Sequence, residues 1–419
     1  MRIPSPIRPS VAVLLAILLA AAAGCRNGKN HEPPTLSWYV FNEPSGAFSE
    51  AAGFCTKQSS GRYKITLLPL PPDADQQREQ VARRLAASDR DIDIIGMDVI
   101  WTAEFAEAGW ILAWPELPAK RVSLGRLPVS VESAHYRNRL WAAPLTGNVQ
   151  LLWYRSDRVS VPPATWSELI EQAEALGQAG AIQVQGQRYE GLTVFFISLL
   201  ASAGGQVLDA SGGAVSLNSA PTRKTLALMK RLAMSPAADP ALDTAREDQA
   251  RLAFETGGPT FMINYPYVWP SAHRNAPEIA SHMAFALLPA VEENRSGKAV
   301  LGGINLGIGA HSRYPKLALE AAECLASRPN QIRAAIKGGL PPTLDALYDD
   351  PEVRRRFPFA DILRETLREA VLRPRSPLYN DVSLAIGRIL HPLHELDPET
   401  DAIRLRQAVA RALHSEGLL

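Results

Sequence analysis

The chain has 419 residues, 44 basic and 43 acidic side chains, and a formal charge of +1. That balance supplies no basic face for nucleic acid or for anionic lipid, and a hydrophobic share of 46% excludes disorder over most of the length. There is material for two domains of ordinary size.

Arg2 and Arg8 precede an uncharged run from Val11 to Ala23, and Gly24-Cys25 follows. A positive start, an apolar middle and small residues before a cysteine form an export signal. The run of 13 residues is shorter than the roughly 20 that a helix needs to cross a bilayer. The cysteine directly after Ala-Ala-Gly resembles a bacterial lipobox, which would make Cys25 the first mature residue and the carrier of lipid. The alternative is an ordinary secretory signal with an incidental cysteine. Both place the mature chain outside the cytosol. Removing residues 1–24 deletes both arginines and no acid, so the formal charge moves from +1 to −1. Residues 25–35, polar with a Pro-Pro pair, suit a tether to a folded body. Cys55 and Cys324 then remain. Two thiols in an oxidising compartment can pair; two buried free thiols are the alternative.

Residues 36–41 form a strand by their aromatic and β-branched content. A turn at Asn42-Glu43-Pro44-Ser45-Gly46 leads into helical spacing over 46–57. Residues 63–70 give a second strand, 76–87 an amphipathic helix, 91–98 a short apolar strand, and 101–109 another helix. The β-α-β-α-β-α order implies a doubly wound α/β domain with a mainly parallel sheet. Strands at 141–145 and 151–154 lead out of it. Thr165, with Glu168 three residues on, predicts a capping box that opens a helix. The chain to about residue 260 is mostly helical, with strands expected at 261–264 and 302–308 and helices at 316–326, 358–371 and 382–390. Arg373-Pro-Arg-Ser-Pro377 is a break.

Familiar catalytic motifs are missing. There is no G-x-S-x-G frame, no P-loop and no dinucleotide fingerprint. His391-x-x-His394 carries Pro392 between its imidazoles and has no third ligand at metal spacing, so it reads as a solvated helix end. No metal or cofactor is expected. The Gly302-Gly303 and Gly338-Gly339 pairs let backbone approach backbone, or a ligand. More informative are the polar and aromatic residues at strand ends, because ligands of open α/β sheets lie beyond the strands' carboxyl ends. Asn42 and Glu43 end the first strand, and Asp98 ends the third with Trp101 behind it. Asn148 lies between two strands; Tyr265, Tyr267 and Trp269 follow the strand at 261–264, and Arg373 sits at the break. Carboxylates, amides and an arginine beside flat rings suit a sugar. Vicinal hydroxyls donate paired hydrogen bonds to one carboxylate, and the apolar face of a pyranose packs on an aromatic ring.

Several segments together resemble the extracellular solute-binding proteins of ABC importers, in the large sugar-binding group. They are residues 83–98, 103–112, 140–155, 162–176 and 251–269, with 302–308 and 338–341 fitting as well. Three stretches carry a closer likeness to the trehalose-binding lipoproteins of mycobacterial trehalose-recycling importers: 98–110 (DVIWTAEFAEAGW), 148–154 (NVQLLWY) and 372–379 (LRPRSPLY). The resemblance implies a periplasmic-binding-protein fold, two α/β lobes hinged to close on sugar. The N-terminal lobe would comprise 36–146 and about 305–335, and a more helical C-terminal lobe about 147–304 and 336–419. It also implies a ligand set of Asp98, Asn148, Glu247, Tyr265, Gly339 and Arg373, bordered by Asn42 and Glu43. Tyr265 stands where that branch has Trp, and the turn Phe41–Phe48 differs from it. The implied protein is a lipid-anchored, monomeric, non-catalytic carrier that hands trehalose, or a close α-glucoside, to permease subunits. The alternatives are another disaccharide, a glycerophosphodiester, or a secreted glycosidase using Glu43 and Asp98 as its carboxylate pair.

Overall fold

The computed structural model describes residues 32–71, 73–209, 214–217 and 219–414. The export signal, Cys25 and most of the tether lie outside the described residues. Nine strands position the site: β1 (Thr35–Phe41), β2 (Lys64–Leu70), β3 (Ile94–Asp98), β4 (Ala142–Asn148), β5 (Leu151–Arg155), β6 (Ile182–Gln183), β7 (Phe261–Asn264), β8 (Met283–Ala286) and β9 (Gly302–Ile308). The first sheet runs β2-β1-β3-β9-β4 and the second β8-β5-β7-β6. In the first, β1 pairs parallel with β2 and β3. The expectation of a mainly parallel sheet holds there with one exception: β9 enters antiparallel between β3 and β4. It arrives late in the chain, from the other half of the molecule, and so runs against its neighbours.

The helices that matter below are α1 (Ala47–Gln58), α2 (Ala74–Ala86), α3 (Trp101–Glu107), α4 (Trp166–Ala175), α5 (Glu190–Ser202), α6 (Ala220–Met234), α7 (Glu247–Glu255), α8 (Val268–Asn275), α9 (Pro315–Leu325), α10 (Arg328–Gly338), α11 (Ala360–Arg368), α12 (Tyr379–Leu390) and α13 (Pro398–Leu413). Local chemistry sets their starts. Thr165 accepts from the Glu168 amide while Glu168 accepts from the Thr165 amide, the reciprocal box the sequence predicts for α4. Asp73 caps α2 by accepting from Gln76 N at 3.0 Å. The helix expected over 358–371 is shorter, because Val371 instead bridges Val300 beside the second sheet. α10 and α13 escaped the sequence reading.

Two hydrophobic cores result. One gathers Trp38, Ile94, Phe105, Ala143, Ile308 and Leu325, with other residues from 36–145 and 306–334. The other gathers Trp153, Phe196, Phe261, Phe359 and Leu405, with other residues from 127–301 and 335–412. The chain crosses between them after β4, before β9 and after α10, the arrangement of a two-lobe periplasmic-binding-protein fold. Among the described residues no helix is long and apolar enough to cross a membrane.

Cys55 on α1 and Cys324 on α9 form a disulfide with Cα atoms 5.9 Å apart and a sequence separation of 269. Closing so long a loop restricts the unfolded chain, which is worth about 2–5 kcal/mol. The paired substitution Cys55→Ser with Cys324→Ser should therefore lower the melting temperature by several degrees, and reductant should do the same to the parent. Identical melting curves for all three would mean the bond adds nothing.

Candidate functional site

The ends of β3, β4 and β9 converge. Asp98, the last residue of β3, is registered against Ile304, and Asn148, the last of β4, against Gly302. Both therefore flank the start of β9. Gly303 makes this approach possible. It has φ +125°, and a Cβ there would lie 2.1 Å from the Thr146 carbonyl oxygen. The segment after α11 then runs alongside, with Leu301 N donating to Val371 O at 2.9 Å, and this delivers Arg373.

Arg373 lies between two carboxylates. Its Nη2 donates to Asp98 Oδ1 at 2.9 Å and to Leu301 O at 3.3 Å, and its Nη1 donates to Glu190 Oε1 at 2.9 Å. The side chain is only 4% exposed. Burial alone would lower its pKa, but Asp98 and Glu190 beside it raise it above the ordinary arginine value, so it stays charged. Glu190 opens α5 and also accepts from Tyr379 Oη at 2.6 Å and from Ser383 Oγ. Burial pushes its carboxyl up, against the pull of Arg373, Ser383 and Tyr379.

A third carboxylate belongs to the same neighbourhood through Tyr265. Glu247 opens α7 and accepts from Tyr189 Oη at 2.7 Å. Its carbonyl holds Asn264 Nδ2, and Asn264 Oδ1 in turn accepts from Tyr265 N at 2.8 Å. Burial raises the Glu247 pKa, with Tyr189 opposing. The Tyr265 phenol is pushed up by burial and then by Glu247, and it also senses Arg373, Asp98 and Glu190. Tyr265 thus lies within electrostatic reach of all four.

The remaining sequence candidates divide. Asn148 has a buried Oδ1 with no hydrogen-bond partner, as has Arg373 Nε. Buried polar atoms are rarely left so. Gly339 caps α10 with φ +66°, and a Cβ there would meet Pro270 Cγ at 3.2 Å, so it abuts the loop that follows Tyr265. Glu43 is committed: Oε1 accepts from Ser45 N and Oε2 from Ala47 N, which caps α1. Asn42 is exposed. Of the aromatic trio, Tyr265 is the one whose phenol senses Glu247, Asp98 and Glu190. Trp269 packs with Trp153, Phe285 and Phe359, and Tyr267 donates to Asp248. Trp101 is buried and stacks on Phe105. These rings fill cores, the commoner fate of large aromatics.

Sequence reasoning missed Glu190, Tyr189 and Tyr379. One signal was present. Glu190 heads a segment, GLTVFFISLLAS, that is buried on nearly every side, and an acid there has no water to face. A cavity of about 1360 Å³ opens along 128–138, 204–209 and 371–377. It shares only Arg373 with the cluster and lies apart from the chemistry.

The comparisons with known proteins agree with this fold. A model of the bacterial extracellular solute-binding protein family matches residues 58–332. A probable ABC transporter-binding protein of Deinococcus radiodurans is 28% identical over 344 residues, 78% of this chain and 81% of that one. Maltose-bound MalE3 of T. maritima superposes with a TM-score of 0.81 at 29% identity, covering 90% of this chain and 98% of that one. The GacH receptor of Streptomyces glaucescens, solved unliganded and with acarbose, gives a TM-score of 0.80 at 19% identity over 92% and 100% of the two chains; it speaks for the fold alone.

Replacing Arg373 with alanine would strand Asp98 and Glu190 as uncompensated charges. The expected loss is about 3–5 kcal/mol in urea denaturation at neutral pH. A variant as stable as the parent would show that the three charges do not depend on one another.

Proposed function

The chain belongs to the bacterial extracellular solute-binding protein family, and on that premise we propose that it is the sugar-binding lipoprotein of an ABC importer. It takes trehalose or a close α-glucoside between its lobes and delivers it, chemically unchanged, to membrane permease subunits. It does so as a monomer held to the membrane by lipid on Cys25. The family is one of solute carriers, so the chain is not an enzyme.

One observation carries the reading: Asp98 from one lobe and Glu190 from the other both hold Arg373, and the Tyr265 phenol senses that cluster together with Glu247. Asp98 is engaged through Oδ1, and Oδ2 is left for sugar hydroxyls. Asn148 Oδ1 adds a further acceptor. A neutral polyol meets this set better than a phosphate ester, because Arg373 already has two acids bound to its terminal nitrogens, and among the described residues no second cation bonds to Asp98, Glu190 or Glu247. The maltose bound to the T. maritima relative favours the same class. Lobes built on 36–146 with about 305–335, and on about 147–304 with 336–419, would close as a hinge on ligand touching both. Asn42, Glu43 and Gly339 would border the cleft.

A micromolar binder needs about −8 kcal/mol, and a hydrogen bond to a charged group contributes about 1.5–3 kcal/mol. Asp98→Ala should therefore weaken trehalose binding roughly 10- to 150-fold in titration calorimetry. Maltose, another disaccharide and a glycerophosphodiester serve as comparisons, with a glucose-release assay alongside. Tight binding of the phosphodiester alone, or unchanged affinity in Asp98→Ala, would overturn the reading.

Acidification gives an independent check. Burial lifts the Glu247 carboxyl above its ordinary value, so it takes up its proton at a higher pH than an exposed glutamate. If its anion accepts a sugar hydroxyl, affinity should decline early as pH falls from neutrality, and Glu247→Gln should bind more weakly with a flatter pH profile. A profile unaltered by that substitution would remove Glu247 from the site.

A further inference from the structure

We propose that Arg246 is a latch that joins the two lobes through Asp73 and sets how long ligand is retained. The inference rests on the reading above, but its residues lie outside the ligand set given there. Arg246 immediately precedes α7, whose Ala250 and Phe254 belong to the second core. Its Nη1 donates to Asp73 Oδ2 at 2.8 Å, and Asp73 heads α2, whose Val81 and Leu85 belong to the first core. A salt bridge between residues 173 apart in sequence thus spans the two lobes.

Both ends are held ready. Arg246 Nε donates to Gln187 Oε1 at 2.7 Å, and its guanidinium carbon lies 4.6 Å above the Tyr189 ring. Those two anchors share its lobe. On the other side, Asp73 Oδ1 is fixed by the Gln76 amide. Parting Arg246 from Asp73 would therefore break one contact and leave each partner held by its own lobe, so re-forming it orders little that is not already ordered. The exposures of the two side chains, 35% for Arg246 and 21% for Asp73, suit a tie that can part: it is shielded enough to count and wet enough to be weakened by salt.

The latch is also wired to the candidate site. The Tyr189 ring that carries Arg246 donates its hydroxyl to Glu247 Oε2, and Glu247 follows Arg246 in sequence. The next residue after Tyr189 is Glu190, which holds Arg373 and through it Asp98. Residues 189 and 190 thereby connect the interlobe tie with both acids proposed to accept sugar hydroxyls.

The test uses the full mature chain and trehalose. Arg246→Gln removes the charge, and Asp73→Ser removes the charge while keeping a good helix cap. Each should raise the ligand off-rate about 3- to 10-fold in stopped flow and leave the on-rate within about twofold. The double variant should be no faster than either single one. Raising salt from about 50 to about 500 mM should quicken release from the parent and have little effect on the variants. Off-rates and salt slopes equal to the parent's in both single variants would overturn the latch, while tight trehalose binding would keep the sugar reading intact. If no sugar binds, that reading fails by itself. The latch is then judged by small-angle scattering of the unliganded chain: a larger radius of gyration for Asp73→Ser than for the parent at low salt supports it, and equal radii reject it.

Discussion

A buried arginine between two carboxylates governs this molecule. Arg373 is reached by Asp98 from the first sheet and by Glu190 from the head of α5 in the second lobe. None of the three is well placed without the others, because a charge taken out of water is costly unless a partner of opposite sign is near. The group has one formal negative charge in excess, and Tyr379, Ser383 and the Leu301 carbonyl add further hydrogen bonds to it. Such a cluster specifies geometry more than it adds stability. It demands that the end of β3, the segment after α11 and the first turn of α5 meet at one point.

That demand limits what the site can recognise. An arginine free to fork onto a ligand would favour phosphate or carboxylate. Here both terminal nitrogens of the fork are occupied, and on the proposed reading what remains for a ligand is the acceptor capacity of Asp98, Glu247 and Asn148 beside the Tyr265 hydroxyl. Acceptors outnumber donors, which is the complement of a molecule rich in hydroxyl groups. Glu43, the other acid a glycosidase would have needed, has both oxygens spent on backbone amides at the start of α1. That leaves no proton-transfer role for it.

The sequence announced the strands well, since short runs such as Ile94–Asp98 and Phe261–Asn264 are apolar with a polar residue at the end. It also announced Asp98, Asn148 and Arg373 as residues out of keeping with their surroundings. What it withheld was register. Asn148 and Asp98 become neighbours only because β9 inserts antiparallel between their strands, a pairing across some 200 residues that no local pattern encodes. Side-chain direction was equally hidden. Trp269 and Tyr265 are four residues apart, yet Trp269, in the first turn of α8, joins a core cluster, while Tyr265, just before that helix, senses Glu247 and Arg373. Glu190 was overlooked for the opposite reason: it resembles any acid at a helix N-terminus, where the dipole welcomes it, and its burial emerges only from the packing of α5.

The same few residues also make two separate ties between the lobes, and their difference in burial assigns them different work. Asp98–Arg373 is enclosed, with side chains 25% and 4% exposed, so water and salt screen it weakly and it fixes the geometry where the strands end. Asp73–Arg246 is wetter and hence weaker and more responsive to ionic strength. A carrier needs both properties: rigid placement of the groups that recognise its cargo, and a closure whose free energy is small enough to reverse. A clamp held wholly by buried pairs would release slowly, and one held wholly by surface pairs would order its acceptors poorly. Placing the firm tie at the strand ends and the soft one at the heads of α2 and α7 satisfies both requirements with four side chains.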